Sequence, residues 1–395
     1  MRKGWEIKKL GDVCDTGAGG TPLKSHKDYY ENGDIPWLLS GEVSQGEIYN
    51  SRNYITKKGL KNSSAKLFPI NTVLVAMYGA TAGQVGILKF EACTNQAVCG
   101  ILPNEKFIPK YIYYCFLSKK KELIAQAVGG AQPNISQIKI KNTKLPVISI
   151  SEQQEIVSIL DEAFESIERA KSNAEQNLKN AKELFDSYLL NIFENKGENW
   201  QEKRLGEICI LTRGHNPPKS KFISEPKEGY VRFYQIRDGW ADDYAVYVPD
   251  TTQLHKVNPS DILMVAYRHI GKVFRGVSGA FNVALCKISN KNDKILNNDY
   301  LFYLIPTDIV KGELMKRSER SLIPSMSIEH LKEIIIPLPP ILEQERIVNK
   351  LNNLITETKK LESIYQQKLN DLEELKKSIL QKAFNGELKT SKISA

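Results

Sequence analysis

The chain has 395 residues, 26% charged and 41% hydrophobic, with a formal net charge of +9 and a pI near 9.0. That length allows two or three globular units; no 18-residue apolar run and no apolar h-region occur, so neither a membrane span nor a secretory signal is expected. Six scattered cysteines (14, 93, 99, 115, 209 and 286) form no CxxC, which argues against structural zinc or a disulfide framework and fits a reducing, cytoplasmic setting.

In chain order, 1–150 mixes short β-like runs (72–78, 84–88) with turn clusters such as Gly17-Ala-Gly-Gly-Thr-Pro22, and 111–121 predicts a short helix. A long helix follows over about 151–194. Ser151 before a Glu-Gln-Gln-Glu run is a start signal, and neither Pro nor Gly interrupts the segment. The same order then returns, with a second mixed stretch over 197–340 (β-like at 261–267, helical at 300–305) and a second long helix over about 342–384. Pro339-Pro340 stops the strand before it.

The return is a duplication. Trp5-Glu-Ile-Lys-Lys-Leu-Gly-Asp-Val-Cys14 recurs as Trp200-Gln-Glu-Lys-Arg-Leu-Gly-Glu-Ile-Cys209. Val73-Leu-Val-Ala-Met-Tyr78 recurs as Ile262-Leu-Met-Val-Ala-Tyr267, and Tyr111-Ile-Tyr-Tyr114 as Tyr300-Leu-Phe-Tyr303. Gln132-Pro-Asn-Ile-Ser136 recurs as Ile323-Pro-Ser-Met-Ser327, Leu145-Pro146 as Ile336-Pro337, and Glu152-Gln-Gln-Glu-Ile-Val157 as Glu343-Gln-Glu-Arg-Ile-Val348. The boundaries that follow are 1–150 and 197–340 for two globules, 151–196 for a central helix, and 341–395 for a C-terminal helix and tail.

At about 1.5 Å per residue each long helix reaches roughly 60 Å, more than a small domain can cover, so each needs a partner. Heptad positions in the second are Ile347, Leu351, Leu354, Leu361, Tyr365, Leu372, Leu375 and Ile379; their equivalents in the first are Ile156, Leu160, Ala163, Ala170, Ala174, Ala181, Leu184 and Tyr188. A large seam facing a small one predicts close antiparallel packing of the two helices. The expected fold is α/β: two mixed α/β domains related by a pseudo-two-fold repeat and separated by that coiled-coil-like pair. Net charge by segment is +9 for 1–150, −5 for 151–196, +3 for 197–340 and +2 for 341–395, so both globules are basic and the central helix acidic.

Tandem α/β globules, each followed by a long helix through a Leu/Ile-Pro…Glu-Gln-x-x-Ile-Val join, resemble the specificity (S) subunit of Type I restriction–modification enzymes. Gly20-Thr-Pro22, Ile35-Pro-Trp37, Tyr78-Gly79 and Glu152-Gln153/Glu343-Gln344 carry the resemblance, which covers the whole chain. It implies two target-recognition domains, each reading one half of a split site in double-stranded DNA. It also implies that the helices dock two methyltransferase (M) subunits, that two motor-nuclease (R) subunits can join, and that the chain itself does no bond chemistry. This chain is then expected to hold no cofactor or metal; S-adenosylmethionine, ATP and Mg belong to its partners. A rigid helical spacer sets the distance between half-sites. The globules differ outside their skeleton, so the site is expected to be bipartite and asymmetric. Glu155, Glu162, Glu165, Glu168 and Arg169 are candidate M-subunit contacts.

Base reading needs polar or cationic side chains on loops. In the first globule the candidates are Lys24, Ser25, His26, Lys27 and Tyr29, then Tyr78, Gly79, Thr81 and Gln84, then Gln132 and Asn134. In the second they are Arg213, His215, Asn216, Lys219 and Lys221, then Gln235 and Arg237, then Tyr267, Arg268, His269 and Lys272, with Arg317 and Arg320 in the loop equivalent to Gln132. Asn95 and Asn282 occupy equivalent positions, which predicts a structural hydrogen bond. Trp37, Phe233, Cys14 and Cys209 are expected in the core. Positions that differ between copies, such as Gly79 against Arg268, are the better specificity candidates.

Two motifs imitate a methyltransferase. Asp15-Thr-Gly-Ala-Gly-Gly20 leads into Thr-Pro instead of a helix, so no helix N-terminus would hold an anion. Asn216-Pro-Pro is followed by Lys219, so no aromatic follows to stack on a flipped base. Gly271-Lys272 lacks the rest of a P-loop, and the five histidines are dispersed. The alternatives that remain are a non-catalytic coiled-coil adaptor and the S subunit of a methylation-only system.

Overall fold

Residues 4–125, 134–195, 197–239, 244–318 and 326–388 are described by a computed structural model. They fall into two units, 1–175 with 367–395, and 176–366.

The strands of the first unit are β1 (Glu6–Lys9), β2 (Thr16–Ala18), β3 (Ile35–Leu38), β4 (Gly46–Ile48), β5 (Tyr54–Ile55), β6 (Leu67–Phe68), β7 (Val73–Ala76), β8 (Val85–Leu88), β9 (Ala92–Thr94), β10 (Val98–Ile101) and β11 (Lys144–Val147). They pair in the orders β2-β10-β7-β8-β4, β5-β3-β9-β6 and β1-β11. The second unit has β12 (Gln201–Arg204), β13 (Cys209–Arg213), β14 (Tyr230–Tyr234), β15 (Tyr247–Pro249), β16 (Lys256–Val257), β17 (Ile262–Val265), β18 (Val273–Phe274), β19 (Gly279–Phe281), β20 (Leu285–Asn290) and β21 (Ile335–Leu338). Its orders are β13-β20-β17-β18, β15-β14-β19-β16 and β12-β21. The repeat is thus architectural. β7 and β17 are buried along their whole length, which is why both read as unbroken apolar runs. The parallel pair β3·β9 recurs as β14·β19, placing Trp37 and Phe233 in equivalent core positions. Strand β4, parallel to β8, has no counterpart among the described residues of the second unit.

The long helices span Ile150–Glu194 and Ile341–Phe384. In the first unit Ile156 and Leu160 of the earlier helix share a core with Leu380 and Ala383 of the later one. In the second unit Leu189 and Phe193 share a core with Ile347, Val348 and Leu351. In each unit, therefore, the start of one helix meets the end of the other, the arrangement of an antiparallel pair. Lys171–Glu373 (2.9 Å) and Lys376–Glu168 (2.8 Å) tie the helices in the first unit. Exposed pairs of this kind contribute about 0–1 kcal/mol each. The seam corrects the heptad expectation in part. Leu184, Leu361 and Leu375 are exposed, whereas Ile167 and Thr358 are buried in their helices. A 3.6-residue turn drifts against a strict seven-residue repeat, so the apolar stripe slides off the extrapolated positions.

The duplicated motifs meet where each globule joins its helix. Trp5 Nε1 donates to Glu152 (3.1 Å) and Trp200 Nε1 to Glu343 (2.9 Å). Tyr111 donates to the Pro146 carbonyl (3.0 Å) and Tyr300 to the Pro337 carbonyl (2.7 Å). Gln153, fully buried, accepts from Ile108 N–H and donates to the carbonyls of Lys106 and Ile148. Gln344 repeats the clamp with Asn297 N–H and the carbonyls of Ile295 and Pro339. Buried polar groups must be paired, and these glutamines meet that demand for loop ends that no ladder satisfies.

Candidate nucleic-acid interface

In each globule one sheet edge gathers the candidate loops. Antiparallel pairing brings the end of β2, the start of β10, the end of β7 and the start of β8 to one side. The ends of β13 and β17 and the starts of β20 and β18 do the same in the second globule. The same backbone bonds hold both edges. Gly83 N–H reaches the Ala76 carbonyl (2.8 Å) as Gly271 N–H reaches Val265 (3.1 Å). Ile135 N–H binds the Met77 carbonyl (2.8 Å) as Met326 N–H binds Ala266 (3.0 Å). Asn95 and Asn282 each accept a backbone N–H two residues on, from Ala97 and Ala284 (both 3.2 Å), so they brace the turns into β10 and β20 as expected.

On the first edge, Lys24, Ser25, His26 and Lys27 are exposed in the loop after β2, which Thr21 fastens to Gln96 by a side-chain hydrogen bond. Tyr29 is a correction. The residue is 8% exposed and its ring is stacked on His26 (centroids 4.7 Å), so it anchors the loop instead of facing a base. Lys58, hydrogen-bonded to Asp28 (2.6 Å), holds that carboxyl below its ordinary value and secures the same loop. Tyr78, 39% exposed, forms an isolated antiparallel bridge with Asn134 of a separate segment, beside the hairpin tip where Gly79 has φ +69°. Thr81 donates to the Tyr78 carbonyl (3.2 Å), and Gln84 is half-buried. Gln132 lies outside the described residues.

On the second edge, Arg213 donates to the Met326 carbonyl, which commits part of its fork to holding loops together. His215 is exposed, as is Asn216, whose Oδ1 accepts from Val283 N–H (3.1 Å) and thereby closes the loop. Lys219 and Lys221 are exposed on one turn. Gln235 is half-buried after β14, and Arg237 is exposed over the Tyr244 ring at 5.3 Å. Tyr267 is half-buried, while Arg268, His269 and Lys272 are exposed around the β17–β18 tip. Arg320 and the side chain of Arg317 lie outside the described residues.

Among the described residues, no group of three or more His, Cys, Asp or Glu could hold a metal ion, and no helix is long and apolar enough to cross a membrane. Two cores, each with a loop-bearing edge and a duplicated helix joint, match a known pattern. The family model of the Type I restriction modification DNA specificity domain matches residues 2–178 and again 197–374. The chain belongs to this family. The Type I restriction enzyme MjaIX specificity subunit of Methanocaldococcus jannaschii is 26% identical over 99% of this chain and 95% of its own length. Two solved structures share the fold at 20% identity. One, from work on complex assembly and conformational transition of the type I R-M system, has a TM-score of 0.78 and covers 98% of this chain and 99% of its own. The other is the HsdS subunit from Thermoanaerobacter tengcongensis, with a TM-score of 0.69 and 98% of each chain covered.

For a specificity-family chain, one set of edge residues escapes sequence reading. Leu39 occupies the position of Gln235, because Asn95 N–H binds the Leu38 carbonyl as Asn282 N–H binds that of Tyr234. Behind each, a buried carboxylate locks the loop. Glu42 accepts from Leu39 N–H (2.8 Å) and Arg52 N–H (2.9 Å), and Asp238 accepts from Gln235 N–H (2.6 Å) while pairing with Arg232 (2.9 Å). The signal was an acidic residue three positions after the loop start in both copies, the spacing of a capping box. The loops are thus held by buried bonds while their tips stay exposed, a geometry suited to surface recognition.

Proposed function

We propose that this chain is the DNA-recognition subunit of a Type I restriction–modification complex, and that each globule reads one half of a bipartite, asymmetric duplex site. One observation carries the reading. The residues the two copies share are spent on the helix joints and turn braces, whereas the exposed edge loops differ almost completely. A pair of scaffolds that agree in skeleton and differ in display suits two half-sites of different sequence. The paired helices set the gap and dock two M subunits, and two R subunits join when the complex also cuts. Bond chemistry, with its S-adenosylmethionine, ATP and Mg, then resides on those partners in the cytoplasm.

Methylated positions should be mapped in a host expressing this chain with its M subunit. The expected result is a two-part site with unlike halves and a fixed gap. A continuous or palindromic site would overturn the reading. Duplex binding by the complex should also weaken log-linearly with salt, because phosphate contacts release counterions; an adaptor would give no such slope.

A further inference from the structure

Among the described residues, three non-glycine positions have positive φ: Asn32 (58°), Asn71 (69°) and Arg268 (62°). Asparagine tolerates the left-handed region because its short side chain bonds locally, and arginine has no such compensation. The equivalent of Arg268 on the first edge is Gly79, with nearly the same φ of 69°. The equivalence rests on matching tip bonds, since Ala76 N–H binds the Gln84 carbonyl (2.9 Å) as Val265 N–H binds that of Lys272 (2.8 Å). The fold therefore accepts glycine at this tip, and backbone preference favours it. At 268 the chain carries arginine against that preference, with an exposed side chain over the Tyr267 ring at 5.6 Å. Backbone strain retained at an exposed loop tip is characteristic of binding sites.

We propose that Arg268 reads a guanine in the half-site held by the second globule. The inference rests on the recognition function above and names the base chemistry of one position. A guanidinium fork matches the N7 and O6 acceptors on the major-groove edge of guanine, and a lysine ammonium, a point charge on a flexible stem, lacks that rigid planar fit. Gly79 presents bare backbone, so the first half-site has no side-chain contact at the equivalent base. A Cβ placed at Gly79 meets nothing within 4 Å, so a longer side chain has room there, at the same left-handed backbone cost that Arg268 already bears.

The test maps methylated sites for the intact complex carrying R268G, R268K or G79R, beside the unaltered chain. R268G should lose roughly ten- to hundredfold of the preference for one guanine in one half-site, leave the other half unchanged, and keep or raise its thermal midpoint, because glycine relieves the backbone strain. R268K should lose most of the same preference. G79R should add a guanine preference to the opposite half-site. An R268G map identical to the unaltered one overturns the proposal, and so does a lowered midpoint with unchanged bases, because that is a structural role. A G79R map without a new preference argues against this tip as a reading position. If the unaltered complex yields no two-part site, the recognition function itself fails; if a clear two-part site ignores R268G, this inference alone fails.

Discussion

Gln344 uses its whole side-chain amide inside the protein, accepting one N–H and donating to two carbonyls. Gln344→Leu leaves three buried groups unpaired, each costing about 1–3 kcal/mol before any relaxation. A loss of about 3 kcal/mol is expected, read as a fall of roughly 6–12 °C in the thermal midpoint for a unit of this size. The methylated sequence should not change, since the residue braces a joint and touches no edge loop. The cysteines offer a second check. All six are free and buried; burial pushes the Cys93 thiol up to about 11 and those of Cys99, Cys115, Cys209 and Cys286 to about 12. Folded thiols should therefore resist alkylation at pH 8 and react only on unfolding. The linkage sign follows from the raised values. The unfolded chain gives up these protons first, near pH 8.5, so stability is full below that pH and falls as pH rises toward the folded values. Denaturant midpoints at pH 8 and pH 10 measure the fall; an equal midpoint at both would contradict it.

The long helices show why some features could be read in advance. The sequence placed them at 151–194 and 342–384, against Ile150–Glu194 and Ile341–Phe384 in the structure, because start signals and uninterrupted composition are local properties. Which residues face the partner is a joint property of two helices, so Leu361 and Leu375 were misplaced while Ile167 went unnoticed. The distinction separates two kinds of mutation. Ala174 is buried on the earlier helix, and Ala174→Leu should overpack its surroundings and cost about 1–3 kcal/mol in denaturant unfolding. Ile364, 52% exposed, lies near Leu361, 37% exposed, on an outer face of the later helix. Ile364→Glu should shift stability by less than about 0.5 kcal/mol, as surface changes do, yet weaken co-purification with the M subunit if the helices dock it. Unchanged co-purification would move the docking surface off this part of the helix.

Across the whole chain, what could be read from sequence divides along the line between shared and unshared residues. The repeat exposed its own skeleton: Trp5 and Trp200, Gln153 and Gln344, Asn95 and Asn282 each do one job twice. The reading edge was only partly legible. Tyr29 turned inward through stacking on His26, and Leu39 hid its equivalence to Gln235 behind a change of residue type, because both facts depend on contacts between distant segments. On the proposed function, the length of the paired helices sets the gap. The two units meet along the chain at 175/176 and 366/367, both within the long helices. Adding seven residues at each of those points keeps the heptad phase, so apolar seams still face each other, while lengthening each helix by about 10.5 Å. Duplex DNA rises about 3.4 Å per base pair, so the gap between half-sites should grow by up to about three base pairs. The bases in each half should stay the same, because no edge loop is altered. A methylation map with a longer gap and unchanged halves is the expected outcome; an unchanged gap would mean that something other than helix length sets the spacing.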